Sequence, residues 1–221
     1  MSRRTLVYLH GFASSARSSK GAALAARASA EGMRFLTPDL NLPEFSSLTI
    51  SRMLDQVHSL AADVEGPVTL IGSSLGAIVG LFAAASLTGR SSRGTVDSLV
   101  LMAPAVDLVP DLMRHFGEAG LEAWEQAGST EVFHYAYQER RLLGWQFFAD
   151  ARGYDVWTVD TPVRTLVFQG TRDELVNPEA VRRWAAARQN VTLHVLDDGH
   201  QLSASVDVMW NELVRFLDAT A

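Results

Sequence analysis

The sequence contains no cysteine among its 221 residues, which excludes disulfide bonds, thiolate metal ligands and a cysteine nucleophile. Lysine is almost absent as well, because Lys20 is the only one, and no dense basic run occurs. With 19 basic and 25 acidic residues, the formal net charge is −6. This balance argues against a nucleic-acid partner and against binding to an anionic membrane surface.

Long apolar runs are also missing, since no stretch approaches the roughly 18 residues that a membrane-spanning helix needs. The apolar run at 5–9 is too short for the core of a signal peptide and is broken at Gly11. We therefore expect a cytoplasmic protein, a monomer or homodimer. The hydrophobic share of 48% is sufficient for one domain spanning residues 1–221.

Short apolar runs alternate with longer helical patterns along the chain. The runs are apolar at consecutive positions, as expected of strands that are covered on both faces. They predict a minimal, mostly parallel sheet of about six strands flanked by helices, which is an α/β fold. The predicted strands lie at 6–9, 33–36, 68–71, 99–102, 166–168 and 191–196, and the predicted helices at about 18–31, 47–64, 75–88, 178–188 and 204–219.

Residues 105–160 interrupt this alternation with helical patterns and no clear strand. They hold 10 of the 19 aromatic residues, so the segment has an apolar core or surface of its own. One interpretation is a small satellite core under an insertion. The other, which we favour because binding loops often lie between sheet strands, is a helical lid whose aromatic underside lines a substrate pocket.

The sequence Gly72-Ser73-Ser74-Leu75-Gly76 follows a predicted strand and opens a predicted helix. This is the G-x-S-x-G pattern in the strand–turn–helix context that a nucleophile requires. The glycines allow neighbouring backbone to pass close to a strained turn, which presents the Ser74 hydroxyl above the sheet. Ser74 is therefore the predicted nucleophile.

A serine nucleophile needs a base, and His200 is the histidine best placed to serve. It follows the last predicted strand, so it lies at the same sheet edge as Ser74. The other five histidines have simpler interpretations as helix-face, strand, lid or loop residues: His10, His58, His115, His134 and His194.

The third member should be a carboxylate that orients the histidine and stabilises its protonated form. Asp173 follows the predicted strand at 166–168 and gives the chain order Ser, Asp, His that is expected for this architecture. Glu174 is its nearest rival and Asp107 a more distant one. Asp197 and Asp198 lie too close to His200 in sequence to be favoured.

Two backbone N–H groups should stabilise the oxyanion that forms when the serine attacks. One is predicted to be the N–H of Leu75, directly after the nucleophile. The other is assigned to Phe12, because Gly11 permits a tight turn after the first strand. No metal or organic cofactor is required by this arrangement.

Together these residues resemble the α/β-hydrolase superfamily over nearly the whole chain. His10-Gly11 matches the oxyanion loop, the pentapeptide around Ser74 the nucleophile elbow, Asp173 the acid and His200 the histidine. The sequence from Tyr8 to Phe12, the serines at 14, 15, 18 and 19, and Lys20 are similar to the small YqiA-like bacterial esterases.

The resemblance implies a serine hydrolase acting on a small acyl or aryl ester. Thioester, amide or carbon–carbon bond hydrolysis by the same residues stays open, as does a non-catalytic ligand-binding protein on this fold. Two departures from the superfamily are expected: the leading hairpin is absent, and residues 105–160 form a longer insertion than the smallest esterases carry.

Overall fold

The computed structural model describes residues 4–88 and 94–219. Its main sheet has six strands, all parallel, in the spatial order β2-β1-β3-β4-β7-β8. The bounds are β1 Thr5–Leu9, β2 Arg34–Leu36, β3 Gly66–Ser73, β4 Gly94–Met102, β7 Arg164–Gly170 and β8 Val191–Leu196. The predicted parallel sheet of about six strands is therefore confirmed.

Seven α-helices accompany the strands within the described residues, with a 3₁₀ helix at Phe45–Ser47. Their bounds are α1 Ser19–Ala30, α2 Ile50–Asp63, α3 Leu75–Leu87, α4 Leu108–Ala127, α5 Gln146–Ala151, α6 Pro178–Ala186 and α7 Val206–Asp218. Three of them begin at side chains that accept a hydrogen bond from the first helical turn: Ser18, Thr49 and Asn177. Pro178 occupies the first position of α6, as its sequence predicts.

The strands are apolar at consecutive positions because helices cover both faces of the sheet. In β1, Val7 and Leu9 pack into the core on the side of α2, α3 and α6. Leu6 and Tyr8 face the other way, into a second core shared with α1 and α7. This alternation distinguishes a doubly covered strand from a strand with one solvated face.

The insertion contains two strands that the sequence analysis did not predict. After α4, the strands β5 Ser129–His134 and β6 Glu139–Gly144 form an antiparallel hairpin, which α5 follows. The prediction of an insertion with no clear strand was wrong in this respect. The hairpin turn at 135–138 has none of the Gly or Asn-Gly pairs that mark short turns; instead, Gln138 adopts a positive φ of 56°.

The buried aromatic residues of the insertion, Trp124, Phe147 and Phe148, pack into the main core instead of forming a satellite core of their own. Trp124 is 1% exposed, contacts Phe116, Trp145 and Phe148, and donates its indole N–H to Leu143 O at 3.0 Å. The insertion is thus held by the same core that covers one face of the main sheet.

Candidate active site

The turn between β3 and α3 places Ser74 at the carboxyl edge of the sheet. Its backbone has φ 54° and ψ −113°, a conformation that L-residues rarely adopt and that costs on the order of 1–3 kcal/mol. Surrounding bonds hold it there: Ser74 N–H donates to Met102 O at 2.9 Å, and Ala77 N–H donates to Ser74 O at 3.0 Å. Ser74 is partly exposed, whereas its neighbours Ser73 and Leu75 are buried.

The loop after β1 packs directly against this turn. A Cβ atom added at Gly76 would lie 2.1 Å from Leu9 O and 2.6 Å from His10 O, so only glycine allows α3 to approach β1 so closely. A Cβ added at Gly11 would lie 3.3 Å from Ser74 Cβ. The loop that carries Phe12 therefore borders the serine, as the sequence predicts.

His200 and Asp173 form a hydrogen-bonded pair across the loops that follow β8 and β7. His200 Nδ1 lies 3.0 Å from Asp173 Oδ1 and 2.9 Å from Oδ2. The Asp173 side chain is fully buried, and that of His200 is 14% exposed. The structure therefore brings together the histidine and the acid of the three residues predicted from the sequence.

Asp173 is held in its ionised form by its contacts. Burial raises its pKa, but the hydrogen bonds from His200 and Val176 N–H outweigh burial, and the pKa is lowered overall. Leu175 N–H and the Gln169 amide also donate to the carboxylate, at 3.0 and 2.9 Å. An ionised Asp173 keeps the proton of His200 on Nδ1 and leaves Nε2 as the acceptor.

The predicted hydrogen bond between the Ser74 hydroxyl and His200 is not formed. Within residues 4–88 and 94–219, the Ser74 hydroxyl makes no hydrogen bond to His200 or to any other group. In enzymes generally, catalytic hydrogen bonds are often long or poorly aligned before substrate binds, so an open distance here does not by itself exclude a serine–histidine pair.

Asp198 shapes the loop that carries His200, a role that the sequence analysis missed. Its Oδ1 accepts from Gly199 N–H at 2.8 Å, and its Oδ2 accepts from Ala204 N–H at 3.0 Å and from the Ser205 hydroxyl at 2.9 Å. Burial raises the pKa of Asp198, but these hydrogen bonds, led by that of Ser205, lower it overall. The Asp-Gly-His spacing was the available signal, since Asp side chains commonly bond backbone N–H groups in such turns.

The two predicted oxyanion donors are backbone groups with no regular partner. Leu75 is the first residue of α3, so its N–H belongs to the donors that the helix itself cannot satisfy. Phe12 N–H makes no hydrogen bond within the part of the chain that the structure describes. Both groups flank Ser74, from the helix side and from the β1 side.

His10 fixes the orientation of the Phe12 N–H group. Leu40 N–H donates to His10 Nε2 at 3.0 Å, so the ring proton is on Nδ1, which lies 3.0 Å from Gly11 O and donates to it. Burial lowers the pKa of His10, which keeps the ring neutral. Because the C=O and N–H of a trans peptide point in opposite directions, holding Gly11 O also holds Phe12 N–H.

The remaining candidates make other contacts, and none of them bonds the paired His200 and Asp173. Glu174 is exposed, Asp107 accepts from the Trp157 indole at 2.8 Å, and Asp197 pairs with Arg172. His58 contacts the Ser86 hydroxyl, and His134 stacks on Tyr137. These placements agree with the preference for Asp173 and His200.

A cleft of about 300 Å³ opens between the start of α4 and the segment after α5. Its lining starts at Val106, the residue after Ala105. The Ala105 N–H donates to the backbone O of Ser74 at 3.5 Å, but Ser74 itself does not line the cleft. The walls are mainly apolar: Val106–Pro110 on one side, and Ala151, Arg152 and Tyr154–Trp157 on the other. Two of the insertion's aromatic residues, Tyr154 and Trp157, thus line this cavity.

The hairpin of the insertion contacts the predicted oxyanion loop. Ala136 N–H, in the turn between β5 and β6, donates to Ala13 O at 3.3 Å. Phe12 packs between Phe45 and Phe147, with ring centroids 5.6 and 5.4 Å away. The insertion therefore supports the loop that carries one of the two donors.

The part of the chain that the structure describes contains neither a cluster of metal-ligating side chains nor a helix able to cross a membrane. In residues 4–88 and 94–219, no group of three or more His, Asp or Glu side chains is arranged to hold a metal ion. In the same part of the chain, no helix combines the length and apolar character needed to cross a membrane.

Solved structures with this fold come from distant organisms. A candidate hydrolase from Agrobacterium vitis S4 has a TM-score of 0.81 at 23% identity, covering 96% of this chain and 87% of that one. Alpha/beta hydrolase domain-containing protein 10 from mouse has a TM-score of 0.77 at 20% identity, covering 98% and 90%. Est1E from Butyrivibrio proteoclasticus, solved with ferulic acid, has a TM-score of 0.79 at 18% identity, covering 98% and 88%. The predicted α/β-hydrolase fold is confirmed.

No curated protein matches the sequence. A family model does, over residues 5–217, and its description is "Uncharacterised protein family (UPF0227)". This is the YqiA-like family that the residues around His10 and Ser74 suggested. The chain therefore belongs to the UPF0227 family and has the α/β-hydrolase fold.

Proposed function

We propose that the protein is a serine hydrolase that cleaves a small carboxylic ester through an acyl-enzyme. The observation that carries the proposal is the buried His200–Asp173 pair, at 2.9 Å, on the same sheet edge as the strained Ser74. A structural role alone does not call for a fully buried carboxylate on a mostly buried histidine at the same sheet edge as a strained serine. A buried carboxylate with a perturbed pKa, such as Asp173, is typical of catalytic sites.

In the proposed reaction, Ser74 Oγ attacks the ester carbonyl while His200 Nε2 takes its proton. The N–H groups of Leu75 and Phe12 stabilise the negative charge that develops on the carbonyl oxygen. His200 then gives the proton to the departing alcohol, and the acyl group stays on Ser74. Water then attacks the acyl carbon while His200 takes its proton; the bond to Ser74 Oγ breaks, His200 returns the proton to Oγ, and the acid is released.

The cleft near Ala105 supports a substrate with a modest acyl or aryl group. Its volume of about 300 Å³ suits a short apolar chain or one ring, and Val106 and Leu108 offer apolar walls. Several proteins of similar structure are named for ester chemistry, including an esterase from Exiguobacterium antarcticum and a monoacylglycerol lipase from Paleococcus ferrophilus. These names support the class of reaction.

The test is labelling with a fluorophosphonate probe, together with hydrolysis of p-nitrophenyl acetate. We expect the native protein to be labelled and active, and Ser74→Ala to be neither. Ser59→Ala is the matched control, because Ser59 is exposed on α2 and distant in sequence from the site. An unlabelled, inactive native protein would favour a ligand-binding protein on this fold. Faster hydrolysis of thioesters than of the matched oxygen esters would instead assign a thioesterase.

A further inference from the structure

The only lysine of the chain is buried next to the turn between β3 and α3, which carries Ser73 and Ser74 and is called the serine turn below. Lys20 lies in the first turn of α1, is 7% exposed, and donates from Nζ to Ser73 Oγ at 3.1 Å. Ser73 is itself 7% exposed and directly precedes Ser74. The proposed mechanism uses neither Lys20 nor Ser73, so this contact calls for its own explanation.

The carboxylates of Asp173 and Asp198 act on Lys20, and the phenol of Tyr8 lies near its partner Ser73. Burial lowers the pKa of Lys20 to about 8, although the carboxylates of Asp173 and Asp198 attract the ammonium and raise it. From β1, the Tyr8 hydroxyl accepts from the Ser18 hydroxyl at 3.4 Å, and burial raises the pKa of Tyr8, so the phenol stays neutral. At neutral pH, one cation therefore faces two ionised carboxylates.

Burial of an ammonium group costs free energy that an apolar side chain of the same size does not. Moving it out of water costs several kcal/mol, and a methionine of similar length would occupy the same volume at no such cost. Within the described residues, Lys20 forms no ion pair at contact distance and makes a single hydrogen bond, to Ser73. Its stability contribution is therefore a weak reason for its presence, and its position next to the serine turn is a stronger one.

We propose that Lys20 is a positioning residue of the proposed active site: its ammonium fixes Ser73, and thereby the turn that presents Ser74, and offsets the negative charge of Asp173 and Asp198. The inference rests on the proposed hydrolase function. The two carboxylates lie on the neighbouring loops after β7 and β8, which carry the acid and the base. Without a cation between α1 and these loops, like charges repel at the place where His200 must be held.

The first experiment observes Lys20 without reference to catalysis. Because the chain has one lysine, protein grown with ¹³C-labelled lysine gives a single side-chain Cε signal. We expect its titration midpoint near pH 8 in the native protein, and at lower pH in Asp173→Asn, which removes one attracting charge. A midpoint near 10.4, the value of a solvated lysine, would overturn the inference, as would a midpoint that is unchanged in Asp173→Asn.

The second experiment measures the rate constant of fluorophosphonate labelling between pH 6 and 9.5. We expect Lys20→Met to be labelled about tenfold more slowly at pH 7, the loss expected when one nearby charge is removed from a partly buried site. We also expect the native rate to decline as pH rises through 8, where the ammonium becomes neutral, and this decline to be missing in Lys20→Met. A merely structural lysine would not produce this difference between pH profiles.

Arg27→Met is the matched control, because Arg27 lies on the same helix and pairs at the surface with Asp207. It should be labelled like the native protein. Equal rates for Lys20→Met and the native protein at every pH, with both folded, would overturn the inference. If Lys20→Met does not fold, Ser73→Ala keeps the ammonium and removes its acceptor. Slower labelling of this variant supports the inference, and a native rate that does not decline above pH 8 overturns it.

The two proposals fail in different ways. A native protein that takes no label at any pH overturns the serine hydrolase and the positioning role of Lys20, while the titration still reports whether the buried Lys20 ammonium is attracted by Asp173. Normal labelling of native protein and Lys20→Met alike leaves the hydrolase intact and removes only the role of Lys20.

Discussion

His200 Nδ1 and Asp173 Oδ2 lie 2.9 Å apart across two loops that follow neighbouring parallel strands. Because β7 and β8 are paired in register up to Gly170 and Leu196, the distance between the two loops is set by the sheet. The carboxylate also accepts from Val176 N–H at 2.8 Å, so its position is fixed from its own loop as well. The proposed base thus depends on regular secondary structure.

Replacing Asp173 with Asn should remove the charge and preserve the shape. The amide would favour the wrong imidazole tautomer, so we expect kcat to fall by about 10³–10⁴-fold with little change in KM. The measurement is hydrolysis of p-nitrophenyl acetate at pH 7. Glu174→Gln, which alters the exposed neighbouring carboxylate, should keep native activity. Retention of a tenth of the activity in Asp173→Asn would contradict the assigned acid.

Replacing His10 with Ala should loosen the Gly11–Phe12 peptide. The variant loses the bond to Gly11 O and leaves Leu40 N–H without an acceptor, so we expect kcat to fall by about 10–100-fold and the free energy of unfolding by about 1–3 kcal/mol. Steady-state kinetics and urea unfolding test the two effects. His58→Ala, at a helix surface, is the control. Unchanged kcat with reduced stability would show that His10 supports the fold alone.

Asp198→Asn should destabilise the protein in a pH-dependent way. The pKa of Asp198 is lowered in the folded state, so the stability it contributes is present above its unfolded pKa and is lost as pH falls through the folded value. We expect the variant to lose about 1–3 kcal/mol at pH 7, because an amide nitrogen cannot accept from Ser205 and Ala204.

The difference between native and variant should shrink as the pH falls below about 4. Chemical unfolding at pH 7, 5, 4 and 3 measures it. Asp197→Asn is the control, because Asp197 directly precedes Asp198 and its carboxylate is exposed. A constant difference across this range would mean that the ionised form of Asp198 contributes nothing.

Leu108→Trp should narrow the cleft and change substrate preference. We expect kcat/KM for p-nitrophenyl hexanoate to fall by about 10-fold or more, and that for the acetate by less than about 3-fold, because only the longer chain reaches the filled space. Leu142→Trp, at a position 53% exposed on the hairpin, is the control. Equal losses on both esters would place the acyl group elsewhere.

The sheet could be predicted from the sequence because burial on both faces leaves a local signal. Val7 and Leu9 face one core and Leu6 and Tyr8 the other, so apolar side chains occur at four consecutive positions of β1. The serine turn was predictable for a related reason: its glycines are close in sequence and serve a local backbone requirement. These features can be read from a few consecutive residues.

The missed features depend on contacts between distant parts of the chain. Lys20 and Ser73 are 53 positions apart, and nothing near either residue indicates that they meet. In the sequence, a single lysine among many arginines is explained as readily by codon usage. The β5–β6 hairpin was missed because Phe133 on β5 and Leu142 on β6 are exposed, so its strands lack the apolar-inward alternation that marks a half-buried strand.

The contact between Ala136 N–H and Ala13 O has a consequence for exchanging parts between members of this family. A chimaera that receives another protein's segment 105–160 changes the walls of the cleft, but it also replaces the turn that braces the loop after β1. Breadth of substrate choice and rate of reaction would then change together. A chimaera that keeps the native turn at 135–138 would change substrate choice without disturbing the loop after β1, so this turn is the part of the insertion that an exchange should leave in place.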